Sequence, residues 1–259
     1  MLPSGLILAA SLVSRRWGPA VGGWLVALPL TSGPIAFFLA LDHGPGFAAA
    51  TAIGSLVGVL AEIAFCLAYA ALAGRGWRLA LLGGSLAFAA VAAILQTAML
   101  PFAVLAVGAV MALVAGLTIL RDRPRTVNAG ASPRWDLPAR MAITAALVLL
   151  ITSASVRLGP RLSGVLAMFP VYVAILTIFA QRKGPAPALQ LLRGVLVGLF
   201  SGVGFFVALG GLIERLGVAV GFAVAIVVAL AVQAASLAFV VARAESGPAE
   251  PETKEVANG

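Results

Sequence analysis

The chain has 259 residues, of which 62% are Ala, Val, Ile, Leu, Met, Phe, Trp, Tyr or Cys and only 10% are charged. Soluble domains carry about 25% charged residues, so this composition excludes a water-exposed globule and requires an integral membrane protein. The formal charge of +8 would suggest nucleic acid in a soluble protein, but here most Lys and Arg lie in short connections between apolar runs. That is the charge pattern of a multi-pass membrane protein, whose partner is the lipid bilayer and for which no nucleic-acid partner is expected.

In chain order, the first apolar run covers residues 2–14. It has no basic residue ahead of it and Arg15-Arg16 behind it, the reverse of a cleavable signal peptide, so it reads as a retained span with its N-terminus outside. Further runs follow at 20–41, 47–73, 78–96, 99–120, 140–156, 162–180, 188–213 and 217–242, which makes nine spans with the first. No ten-residue runs of alternating polarity appear, which excludes a transmembrane barrel and leaves an all-α integral membrane protein. The segment 121–139, rich in Arg and Pro, is the one long polar connection. The tail 244–259 is too polar to bury and is expected to be disordered.

The chain repeats itself. Arg16, Gly18-Pro19, Gly23, Leu25, Pro29 and Phe38 recur as Arg157, Gly159-Pro160, Gly164, Leu166, Pro170 and Phe179, at a constant offset of 141. After Gly44-Pro45 and Gly184-Pro185 the offset becomes 140, pairing Gly54, Gly58, Phe65 and Arg75 with Gly194, Gly198, Phe205 and Arg215. Ordered Gly and Pro matches are not produced by an Ala/Leu-rich composition alone. Repeat one is therefore 1–98, with four spans; 99–139 holds a linker span and a cytoplasmic loop; repeat two is 140–243, with four more.

Five spans separate equivalent points, so the second repeat enters the membrane upside down. With nine spans, 14 basic residues share one side against Arg157, Arg161 and Arg215 on the other. If 78–120 held a single span the repeats would be parallel and the split 7 against 10, which orients nothing. The inverted arrangement places the N-terminus outside and the C-terminus in the cytoplasm, in the cytoplasmic (inner) membrane.

One repeat, with its basic first boundary, Gly-rich entrance, proline break and glycine-bearing third span, resembles the four-span GlpM-like inner-membrane proteins. Met168-Phe169-Pro170 and the surrounding Gly164 to Phe179 carry the likeness, which would make the chain a tandem duplication of such a unit. The resemblance implies architecture and little chemistry. By analogy alone, paired inverted four-span units are also similar to drug and metabolite transporters.

Glu62 is the one acidic residue deep in a span. An acid at mid-membrane costs about 2.5–3.5 kcal/mol, so it faces the protein interior. Gly54, Gly58 and Glu62 share a helix face, and Gly194, Gly198 and Gly202 stand in register in the second repeat, so Glu62 replaces a helix-packing glycine. It reads either as a carboxylate that couples proton movement or pairs with a cationic substrate, or as a protonated acid bonded to a neighbouring hydroxyl or carbonyl. Pro29, Thr31, Ser32, Gly33 and Pro34 in the second span are matched by Pro170 and Tyr172 in the seventh. Proline removes a donor and frees carbonyls, so both helices should kink or break, either to line a binding site or as plain structural kinks.

Arg193 is expected to snorkel, Asp42-His43 to cap a loop, and Gln96, Gln233 and Tyr69 are minor polar candidates. Cys66 is the only cysteine and His43 the only histidine, so neither a metal site nor a cofactor is expected. No catalytic constellation is present, and the chain does not read as an enzyme. The reading is a secondary transporter or small-solute permease, with proton coupling at Glu62 and a site near the broken spans two and seven. Its substrate, a small solute or ion, is unknown, and it would act as a monomer or homodimer. The alternative is a non-transporting scaffold or assembly factor for cell-envelope polysaccharide or lipid export.

Overall fold

The computed structural model describes residues 16–29, 32–120 and 160–245. In order these form α1 (Pro19–Val26), α2 (Ser32–His43), α3 (Pro45–Leu72), a 3-10 turn (Ala73–Arg75), α4 (Trp77–Ala98), α5 (Phe102–Ile119), α6 (Pro160–Ala167), α7 (Val171–Gln181) and α8 (Pro185–Glu245). No strand occurs among the described residues. Five helical stretches there are long and apolar enough to cross a bilayer: Pro45–Arg75, Trp77–Ala98, Phe102–Ile119, Pro160–Gln181 and Pro185–Leu237. The protein is an all-α, multi-pass membrane protein.

The expected span 20–41 is divided into α1 and α2, and 162–180 into α6 and α7. The expected spans 188–213 and 217–242 are two arms of α8 that meet at Gly217, whose φ of 76° is not helical. The expected spans 2–14 and 140–156, the loop 121–139 and the tail beyond residue 245 lie outside the described residues, and with them the count of nine.

Local chemistry explains the corners. Gly44 and Gly184 have φ of 86° and 119°, a region closed to most side chains, and each is followed by a proline that opens the next helix. Proline there has a preset helical φ and lacks only an amide that would have no partner in the first turn.

The long α3 and the first arm of α8 run antiparallel through the centre: Ala52 lies against Gly210, while Glu62 and Gly202 border one cavity. Each carries a half-helix on its glycine face. On α3, a Cβ at Gly54 would strike the Arg161 carbonyl of α6, and one at Gly58 would strike the Met168 side chain. On α8, a Cβ at Gly194 would strike the Ala20 carbonyl of α1, and one at Gly198 would meet the Trp24 carbonyl and Ala27. The two sets correspond residue for residue at the offsets of 140 and 141, and the alternation of buried and half-buried positions over 51–70 is identical to that over 191–210. Between helices in lipid there is little hydrophobic gain, so close backbone approach over small residues supplies the attraction.

Leu56, Phe65 and Tyr69 of α3 and Leu196, Leu199, Phe206 and Leu209 of α8 are among the largest fully buried side chains. α5 lies across both, burying Leu105, Ala109, Leu113 and Gly116 along one face. The outward faces of α4, α5 and the second arm of α8 expose Leu82, Leu86, Val107, Met111, Ile226 and Val227, as lipid contact requires.

The two ends of the bundle differ in charge. One gathers Ala73, Gln181, Leu120 and Arg193; the other gathers Gly46 with Glu214 and Met99 with Arg161. Among the described residues the first end carries Arg16, Arg75, Arg78, Arg182, Lys183, Arg193 and Arg243 against the single acid Glu245, whereas the second mixes Arg161 and Arg215 with Asp42 and Glu214.

Gly54→Ala and Gly194→Ala are each expected to destabilise the purified protein by about 1–3 kcal/mol, the cost of overpacking. Gly108→Ala, whose added Cβ meets nothing, should leave the melting temperature in detergent unchanged.

Candidate functional site

The two breaks are built alike. At the end of α1 the Leu28 amide donates to the Leu25 carbonyl, and at the end of α6 the Phe169 amide donates to that of Leu166, both in the tight i to i−3 pattern. Past each proline the helix restarts the same way: Gly33 N–H donates to the Pro29 carbonyl at 2.9 Å, and Ala174 N–H to the Pro170 carbonyl at 2.8 Å. Pro170 itself, at φ −79° and ψ 55°, sits in an inverse γ-turn closed by Val171 N–H on the Phe169 carbonyl. Proline has no amide to lose, so both interruptions cost few backbone bonds.

Between the breaks lies a cavity of about 40 Å3. The end of α1 contributes Val26, Ala27, Leu28 and Pro29, and the end of α6 contributes Ala167, Met168, Phe169 and Pro170. Ser32 opens α2, Tyr172 and Val173 open α7, and Glu62 of α3 faces Leu199 and Gly202 of α8. Glu62 is 5% exposed, and among the described residues its carboxyl has no hydrogen-bond partner. Tyr172 is 8% exposed, and its hydroxyl is buried without a partner among the described residues. An uncompensated carboxyl and phenol in a membrane interior are costly, and such groups concentrate where a protein binds or moves something.

Of the residues singled out in the sequence, Pro29, Ser32, Glu62, Pro170 and Tyr172 meet at this cavity. Thr31 lies outside the described residues, as does the side chain of Pro34. Gly33 is buried against the Phe205 ring and does not line the cavity. Gly54, Gly58, Gly194 and Gly198 are tight crossings, but a Cβ at Gly202 would meet only the Ala27 carbonyl at 4.0 Å. Gly202 therefore borders open space and does not seal a helix contact, because the break after α1 withdraws the backbone that would have filled it.

Sequence reasoning missed Gln181. Tyr69 Oη donates to Gln181 Oε1 at 2.6 Å, and Gln181 Nε2 donates to the Ala73 carbonyl at 2.6 Å, pinning the end of α7 to the end of α3 on the basic side. At the opposite end the matching positions are Leu209 and Ala40, which form no such pair. A Tyr on a buried stripe was the available signal; Gln181 falls at a helix end, where a polar residue is unremarked. Arg193 donates to the Leu120 carbonyl at 3.3 Å, capping α5 at the basic end as a snorkelling side chain should. Gln233 Nε2 donates to the Trp24 carbonyl at 3.0 Å, tying the second arm of α8 to α1, and Gln96 has a buried amide. Asp42 and His43 are exposed, with His43 stacked on Phe47.

Compared with known proteins, the chain matches no family model, no curated protein and no solved structure.

A buried carboxyl without a partner is a stability cost. Glu62→Met should therefore melt higher than the parent in detergent, by the equivalent of about 1–3 kcal/mol. A lower melting temperature would mean that Glu62 is a structural bonding group.

Proposed function

We propose that the protein is a secondary transporter or small-solute permease of the cytoplasmic membrane, built from two inverted four-span repeats that rock about the central cavity. The observation that carries this reading is a buried carboxyl, the one such group among the described lining residues, in a cavity bounded by two pairs of broken helices, at the antiparallel crossing of α3 and α8. Irregular backbone at membrane depth is tolerated where it is enclosed by protein or lines a cavity, and paired discontinuous helices are the usual substrate and ion sites of repeat-built transporters.

The inverted arrangement is supported by the reciprocal glycine contacts and by the antiparallel run of α3 against its repeat mate. A two-fold axis that relates antiparallel spanning helices lies in the membrane plane. The basic end of the bundle is assigned to the cytoplasm, which puts Asp42 and Glu214 outside. Glu62 acts as the coupling carboxylate. The Tyr69–Gln181 pair closes the cytoplasmic side with polar bonds, while the outer side closes through apolar packing.

Orientation is tested in a Cys66→Ser background with Asp42→Cys and Lys183→Cys, exposed and equivalent positions of the two repeats. An impermeant thiol reagent on intact cells should label residue 42 and spare residue 183; labelling of both would indicate parallel repeats.

The transport route is tested with Leu28→Cys, a cavity position that leaves Glu62, Ser32 and Tyr172 in place. In right-side-out and inside-out vesicles a small impermeant methanethiosulfonate should reach it from both sides. Reaction from neither side removes the transport reading in favour of a membrane scaffold, and reaction from one side removes alternating access.

A further inference from the structure

The dimensions and chemistry of the cavity say what it holds. At about 40 Å3 it has room for about three water-sized particles, whereas pockets for metabolites run to about 300 Å3 or more. In this conformation that room suits a small ion with a water or two. The sign of the ion follows from the lining. Among the described residues Glu62 is the one ionisable carboxyl there, and no described basic side chain lines the cavity. Arg161 of α6 reaches Met99 at one end of the bundle, and Arg193 of α8 reaches the Leu120 carbonyl at the other. Among the described residues around Glu62, the remaining ionisable side chains are Cys66, one turn along α3, and Tyr172 of α7, neither of which brings positive charge.

A bare proton needs only the carboxyl. This site offers more: the Ser32 hydroxyl, the Tyr172 hydroxyl, unpartnered among the described residues, and the Ala167 and Met168 carbonyls at the end of α6, to which no backbone amide among the described residues donates. Several oxygen donors around a small void suit a hard cation. One carboxylate sets its valence, since calcium sites gather six to eight oxygens from several carboxylates. The repeat mate of Glu62 is Gly202, which lines the same cavity and adds no second charge.

We propose that the cavity binds one small monovalent cation, sodium, between Glu62, Ser32 and Tyr172. This names the coupling ion of the transport site and rests on that reading of the cavity.

The full-length protein is purified in detergent without sodium, and its melting temperature is measured at constant ionic strength as choline chloride is replaced by sodium, potassium or calcium chloride. Sodium should raise the melting temperature saturably and the others should not. Tyr172→Phe and Ser32→Ala, which keep the shape of the site, should each raise the half-saturating sodium concentration about tenfold. Glu62→Gln should abolish the response.

The proposal is overturned if sodium acts no differently from choline, if potassium or calcium acts as strongly, or if the response survives Glu62→Gln. Should Glu62→Gln fail to fold, the Tyr172→Phe and Ser32→Ala titrations decide, and unchanged sodium dependence in both overturns it. The two readings fail separately. A sodium response with Leu28→Cys unreactive from either side upholds the ion site and removes transport. Two-sided reactivity without a sodium response removes sodium alone.

Discussion

An amide or carbonyl facing hydrocarbon has no water to bond, and each such group costs several kcal/mol. Two interrupted helices at membrane depth can exist only inside a shell that keeps lipid away from them. α3 and the first arm of α8 form that shell: each is continuous, and each presses a glycine face onto the half-helix that precedes a break. The closeness is necessary. A side chain at Gly54 or Gly194 would lift α6 or α1 away and expose the proline turns that follow. The breaks also limit their own cost, because proline removes a donor where the helix bond is lost and the i to i−3 turns use the last amides.

The frame so formed is nearly symmetric in its contacts, but the groups with chemistry are not. Glu62 faces Gly202 where exact repetition would have placed a like residue, and Tyr69 with Gln181 stands where the other end has Leu209 and Ala40. Two carboxylates at the centre would repel each other, whereas one beside a glycine leaves space for a counter-ion. Under the proposed function, the repeated frame supplies two equivalent conformations and the unrepeated side chains distinguish them. Among the described residues α5 adds to the asymmetry: it lies across α3 and α8 and has no repeat mate.

Much of the helical framework was legible in the sequence because lipid imposes a simple rule on it. Runs of about 20 apolar residues are nearly obligatory as helices, and a Gly-Pro step such as Gly44-Pro45 marks a corner by backbone geometry alone. Glu62, Pro29 and Pro170 stood out because each is costly in a membrane helix and would not persist without a place to be used or satisfied. Gly202 and Gln181 were not legible in the same way. A glycine in register with packing glycines reads as another of them, and only the withdrawal of the neighbouring chain at Ala27 shows that it borders a void.

The sequence by itself determined that the chain lives in a membrane, that Gly-Pro steps such as Gly44-Pro45 turn it, that its Gly and Pro pattern recurs, and that Glu62 is buried. These depend on local composition and on transfer from water to lipid, which act on each segment independently. Only the tertiary structure decided that Ser32, Glu62 and Tyr172 meet, that the meeting place is a cavity of about 40 Å3, and that α3 runs antiparallel to α8 with its glycines against α6. Those facts depend on how helices distant in sequence approach one another, and in a medium as apolar as the helices that approach is governed by steric fit, which no single segment encodes.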